Sequence, residues 1–184
     1  MRYGFHVVEL PFQAHPEIPV GGIPAGPRTG PMYAMLEHEA RDAGLPLHWP
    51  RHLPNARRAL AAAEWSRRYR SGAFPQLRKE LFDAHFVLAE DLEDPAVIDA
   101  HARRSGIDLA DLHAALANGK AEAAVTDAET IGRETGVQGT PTWLLAQRLI
   151  SGLHGAAEFE WLAEDVIRRR SDGARSATRD HIKR

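Results

Sequence analysis

Apolar residues recur along most of this chain at the spacing of amphipathic helices, and only two regions have the composition of strands. FHVVELPF (Phe5–Phe12) is apolar and β-branched, ends at a proline-rich turn, and predicts a buried strand. TWLLAQRLISG, which begins at Thr142, predicts two short strands joined near Ala146 and Gln147. The order of elements is therefore strand, long helical stretch, strand pair and helix.

The helical stretch is divided by recognisable start and stop residues. Asp94 and Asp108 are each placed to cap a helix that is followed by glycine. Asn55 stands where another helix begins, and it acts either as that helix's cap or as a polar contact in a binding site. The remaining predicted helices are Met32–Ala43, a segment marked by Leu77, Leu81, Phe82 and Phe86, Lys120–Thr135 and Ala157–Arg169.

Composition and charge exclude several functions. The formal net charge of −2 gives no global attraction to nucleic acid or to an anionic membrane. The chain has no long apolar span and no recognisable leader, so we expect no membrane partner and a cytoplasmic location. It contains no cysteine, which excludes disulfides, thiolate metal sites and any dithiol chemistry by this chain itself. Residues 171–184 are basic and polar and predict a disordered tail.

Five stretches occur in the order of a known family, and together they span most of the chain. They are ELPFQAHPEIPVGG, LPNARRALAAAEW, LFDAHF, DLEDPAVIDAHARRSGID and GVQGTPTWLLAQRLISG. In these stretches the chain resembles the DsbA-like thioredoxin-fold proteins, most closely the FrnE-type subgroup. The related 2-hydroxychromene-2-carboxylate isomerases and kappa-class glutathione transferases share the architecture. The resemblance implies an α/β thioredoxin-like fold (1–30 and 120–170) with an inserted helical subdomain (31–119).

The resemblance also implies a binding site. In this fold the proline of the Gly-Thr-Pro turn, here Pro141, is cis, and the backbone N–H and C=O of Thr140 face an extended substrate. The implied substrate-binding residues are Gly139, Thr140, Pro141 and Asn55, and the implied ligand is an extended peptide or a small thiol such as glutathione. The alternative is a turn that only positions the following strand.

The family's catalytic unit is missing from this sequence. In the family a first strand and helix carry Cys-x-x-Cys opposite the proline, whereas this chain begins near the point where that unit would have ended. We expect a truncated gene product; alternatively, a second chain donates the strand in a homodimer, or the hairpin pairs directly with Phe5–Phe12.

The resemblance implies the function of the thiol-disulfide oxidoreductase family. Because this chain has no cysteine, we expect it to have no catalytic residue and to perform no dithiol-disulfide exchange. The alternatives are a glutathione-dependent isomerase or transferase and a non-catalytic binding module. The isomerase alternative is less favoured, because the isomerase group has a Gly-x-Asp-Arg-type segment here, whereas SGLHGAAEF has no acidic residue before Glu158. We expect no metal site, since Pro50 breaks the helical geometry that would pair His48 with His52.

Overall fold

The computed structural model describes the backbone of residues 3–182 and the side chains of residues 3–170. The chain divides into two compact units. One, the helical unit, is Leu10–Gln138; the other, the hairpin unit, combines Met1–Glu9 with Gly139–Arg184. These units are defined by internal contacts, and the division into a thioredoxin-like part and a helical insert stays a prediction. None of the described helices has the length and apolar character that a membrane span requires.

The helical unit is built around α2, which packs against α3, α5 and α6. A short antiparallel pair, β1 with β2, places Ile23 opposite Leu53 and Pro24 opposite His52. In chain order the elements of this unit are β1 (Ile23–Pro24), α1 (Pro31–Asp42), β2 (His52–Leu53), α2 (Arg57–Tyr69), α3 (Phe74–Phe86), α4 (Pro95–Arg104), α5 (Leu109–Ala117) and α6 (Lys120–Thr135).

The helix ends confirm the predicted caps and stops. Asp94 accepts a hydrogen bond from the backbone N–H of Ala96 at 2.8 Å, at the start of α4. Asp108 does the same for Asp111 at 3.0 Å, at the start of α5. Gly136 follows α6 with φ of 94°, a left-handed conformation that glycine adopts without steric cost. The positions of these helices are therefore fixed by local chemistry.

The core of the helical unit is formed by small and branched apolar side chains. Leu77, Ile98, Leu112 and Val125 have no exposed surface. Tyr69, the last residue of α2, is 55% exposed. Apolar residues of α2, α3, α4, α5 and α6 together form one hydrophobic cluster.

The hairpin unit contains β3 (Thr142–Leu145), β4 (Arg148–Ser151) and α7 (Ala156–Ile182). The strands pair antiparallel, with Trp143 opposite Ile150. Ala146 and Gln147 have φ of 48° and 66°, as a two-residue hairpin turn requires. This confirms the predicted strand pair and its turn. The helix α7 is longer than predicted and continues to Ile182, through most of the segment predicted to be a disordered tail.

The predicted strand Phe5–Phe12 is wrong. The segment has no strand structure, and the side chains of Val7 and Val8 are 61% and 57% exposed. Within the described residues β3 and β4 pair only with each other, so no ladder includes this segment. A β-branched composition favours a strand, but a strand forms only when a neighbour accepts its backbone hydrogen bonds.

Candidate functional site

The Gly139–Thr142 loop leads into β3 and is held at both ends. The hydroxyl of Thr142 donates to the backbone oxygen of Gly139 at 2.7 Å. The backbone N–H of Gly152, just after β4, donates to the carbonyl of Pro141 at 2.9 Å. The Thr140–Pro141 peptide bond is cis. These bonds tie the loop to the base of the hairpin.

Thr140 and Pro141 lie exposed at the surface of the hairpin unit. Among the described residues, no backbone–backbone hydrogen bond engages the N–H or C=O of Thr140. An exposed peptide group with both polar atoms available can pair with the backbone of an extended ligand. The sequence-predicted residues Gly139, Thr140 and Pro141 therefore form one continuous surface segment.

Aromatic and titratable side chains stand beside this loop on the same hairpin unit. The ring of Trp143 is 42% exposed and meets the ring of Phe159 edge-on at 5.0 Å between centroids. His154 bonds Glu158 at 2.8 Å and the carbonyl of Ser151 at 3.0 Å. The hydrogen bond with Glu158, aided by that carbonyl, raises the pKa of His154. Sequence reasoning missed His154, although it lies only three residues beyond β4.

Asn55 lies in the helical unit, two residues before α2 begins. Its side-chain oxygen accepts from the backbone N–H of Arg57 at 3.0 Å and from the side chain of Gln13 at 3.2 Å. Its side-chain nitrogen donates to the carbonyl of Ile18 at 2.8 Å. Asn55 thus caps the start of α2 and ties it to the segment before β1 that contains Gln13 and Ile18, and its role as a substrate contact stays a prediction.

A charged network that the sequence did not reveal surrounds Asn55. The guanidinium of Arg57 donates to the carboxylate of Glu129 at 2.8 Å and also bonds Glu122. Glu129 further accepts from the backbone N–H of Gln13 at 3.1 Å. Burial acts to raise the pKa of Glu129, but the hydrogen bonds from Arg57 and Gln13 outweigh it and the pKa is lowered. The sequence signal that could have revealed this network is the spacing of Glu122 and Glu129, which lie two helical turns apart on α6.

A cleft of about 450 Å³ opens between α2, α5 and α6. Its wall includes Trp65 and two arginines, but Arg68 pairs with Asp127 at 3.0 Å and Arg70 pairs with Asp111. These pairs offset the charges of both arginines, and the wall also contains Lys120.

His48 and His52 have different contacts in the helical unit. The Nδ1 atom of His48 lies 2.7 Å from the carbonyl oxygen of Val87, so this ring fastens the end of α3. His52 lies in β2 and faces carboxylates far along the chain, Asp91 and Glu93. The two histidines are therefore engaged with different parts of the helical unit.

Comparison with known proteins identifies the family of this chain. The model of the DSBA-like thioredoxin domain matches residues 2–166. A solved structure of 2-hydroxychromene-2-carboxylate isomerase (HCCA isomerase) is similar with a TM-score of 0.63 and 21% identity, covering 76% of this chain and 67% of the other. No curated protein matches the sequence. The structural likeness supports the fold, and the family match spans nearly the whole sequence, so this chain belongs to the family of DSBA-like thioredoxin domains.

Proposed function

We propose that this chain is a binding module of the DsbA-like class that holds a small thiol or an extended peptide along Gly139–Thr142. The observation that carries the proposal is the exposed Thr140 peptide group, which stands without backbone partners between two anchored neighbours. A ligand backbone would pair with the N–H and C=O of Thr140, as an added strand residue does at a sheet edge. Glutathione and short peptides both supply such a backbone.

The proposed module performs no thiol chemistry with its own residues. Members of the oxidoreductase class use cysteine thiolates, and this sequence has no cysteine. We expect no disulfide exchange above the buffer rate when this chain is used in an insulin-reduction assay. Clear turnover in that assay would contradict the proposal, because no side chain of this chain can form the mixed disulfide.

Binding is tested by following backbone amide resonances while reduced glutathione or an unstructured tetrapeptide is added. We expect saturable shifts at Gly139, Thr140 and Trp143, and we expect Pro141→Ala to abolish them. Pro75→Ala is the matched control, because Pro75 lies at the start of α3 in the helical unit. Absence of shifts with both ligands, or unchanged shifts in Pro141→Ala, would contradict the proposal.

A glutathione-dependent isomerase activity is the second candidate. It is favoured by the fold similarity to HCCA isomerase, a likeness at 21% identity. The test is conversion of 2-hydroxychromene-2-carboxylate in the presence of glutathione, followed by absorbance. Turnover that requires glutathione would favour this candidate over a binding module, whereas binding without turnover would favour the module.

Two further expectations belong to the proposal. We propose a cytoplasmic location, as the composition indicated. We also propose that two copies associate through the exposed apolar segment around Val7 and Val8. Sedimentation equilibrium would show a dimer mass for the wild type, and replacing both valines by lysine would return the monomer. A monomer mass for the wild type at all concentrations would contradict the dimer.

A further inference from the structure

Three side chains of metal-binding type meet in the helical unit, from segments far apart in the sequence. They are His52 in β2, and Asp91 and Glu93 in the turn that precedes α4. One ligand atom from each lies within 4.8 Å of the others. We propose that His52, Asp91 and Glu93 form a binding site for a divalent transition-metal cation, with Zn²⁺ as the representative ion.

The distance between His52 and Asp91 suits a shared ion better than a direct bond. The Nε2 atom of His52 lies 4.0 Å from Oδ2 of Asp91, which is longer than a hydrogen bond. Two ligands that each lie about 2.1 Å from one ion are separated by about 3.4 Å at a tetrahedral angle. A small rotation of either side chain therefore brings both atoms into the range of metal ligands.

Backbone donors orient both carboxylates. Oδ1 of Asp91 accepts from the backbone N–H of Glu93 at 2.9 Å, while its Oδ2 is the atom nearest His52. Glu93 accepts from the backbone N–H of Gly21, with Oε2 at 2.9 Å and Oε1 at 3.2 Å. Each carboxylate oxygen retains a further lone pair after such a bond. In metal sites, hydrogen bonds from neighbouring groups to a ligating side chain commonly fix the orientation of that side chain.

Gly22 packs closely against the imidazole of His52 and places no side chain on that side of the ring. Its φ is 61°, and a Cβ at this position would lie 2.2 Å from Nε2 of His52. Any other residue would therefore occupy the space beside the nitrogen that would bind the ion. The side chains of His52 and Asp91 are 39% and 48% exposed, so a cation can reach them from solvent.

The donor set indicates the class of cation. One imidazole nitrogen with two carboxylates suits Zn²⁺, Co²⁺ and related ions. Ca²⁺ and Mg²⁺ instead prefer sites made entirely of oxygen ligands. The competing explanation is structural, in that Glu93 only fastens the Gly21 loop and Asp91 only closes its own turn. If that explanation holds, replacing any of these three side chains leaves metal binding unchanged.

Isothermal titration of chelator-treated full-length protein with ZnCl₂ separates the two explanations. We expect one Zn²⁺ per chain for the wild type, and at least about tenfold weaker binding for His52→Ala and for Asp91→Asn. Mg²⁺ should bind far more weakly than Zn²⁺. The matched control is His113→Ala, because Nε2 of His113 faces a single carboxylate, that of Asp99, at 2.8 Å.

Two further measurements keep the result independent of folding defects. Circular dichroism verifies each variant, and Asp91→Asn retains the Oδ1 acceptor for the backbone of Glu93. Zn²⁺ should also raise the melting temperature of the wild type and of His113→Ala, but not that of Asp91→Asn. Absence of saturable Zn²⁺ binding, or equal affinity of wild type, His52→Ala and Asp91→Asn, would overturn the proposal.

Discussion

Arg57 and Glu129 join the first residue of α2 to the buried side of α6, through an ion pair at 2.8 Å between Nη1 and Oε1. The side chain of Glu129 is only 5% exposed, whereas that of Arg57 is 24% exposed. Burying a carboxylate is costly unless charged or hydrogen-bonding partners compensate for lost water. Here Arg57 and the backbone of Gln13 supply those partners, so one carboxylate holds the segment before β1, the start of α2 and α6 together.

Replacing that carboxylate should destabilise the protein measurably. We expect Glu129→Gln to lower the free energy of unfolding by about 1.5–3 kcal/mol, because charge-assisted hydrogen bonds are lost in a buried place. The control is Glu122→Gln, which also removes a carboxylate bonded to Arg57, but one that is 49% exposed. That change should cost at most about 1 kcal/mol. Urea unfolding measures both, and equal losses would contradict the importance of burial.

Acid should weaken the cluster around His101. The imidazole of His101 is buried and lies 2.8 Å from Glu80 and 2.6 Å from Glu90. The hydrogen bond with His101 lowers the pKa of Glu80 below its ordinary value of 4.5, in spite of burial. A carboxyl whose pKa is lowered on folding contributes stability that is full above its unfolded pKa and is lost as the pH falls through its folded pKa.

We therefore expect Glu80→Gln to be less stable than the wild type near neutral pH, with the difference shrinking below about pH 4.5. Urea unfolding at a series of pH values measures this difference. Glu134→Gln, an exposed change on α6, should leave the pH dependence as in the wild type. A difference between wild type and Glu80→Gln that is constant down to about pH 3 would show that Glu80 does not titrate as described.

The features predicted correctly from the sequence depend on neighbours in the chain. Asp94 caps α4 through the N–H of a residue two positions later, so its role is readable without knowing the fold. The strand at Phe5–Phe12 was wrong because pairing depends on a distant neighbour, which no local pattern reports. The proximity of His52 to Asp91 and Glu93 is equally non-local, and the sequence analysis considered only the spacing of His48 and His52.

The cap at Asp94 can be tested with a conservative substitution. We expect Asp94→Ala to cost about 0.5–2 kcal/mol of stability, because the N–H of Ala96 then loses its acceptor at the start of α4. Asp94→Asn should retain most of the stability, since asparagine caps nearly as well as aspartate. Thermal unfolding followed by circular dichroism measures both variants. Equal losses for alanine and asparagine would show that the side-chain acceptor is not what stabilises this helix.

A pair of valine-to-threonine substitutions tests whether the segment around Val8 is a buried strand. Val125 in α6 has no exposed surface, and Val8 is 57% exposed. The side chains of valine and threonine have nearly the same shape, so the substitution changes mainly the cost of burying a hydroxyl. In the monomer, Val125→Thr should cost about 1–3 kcal/mol, whereas Val8→Thr should change stability by at most about 0.5 kcal/mol. A loss at Val8 as large as that at Val125, measured by urea unfolding at a protein concentration where sedimentation shows a monomer, would restore the strand predicted from composition, because only burial makes the added hydroxyl costly.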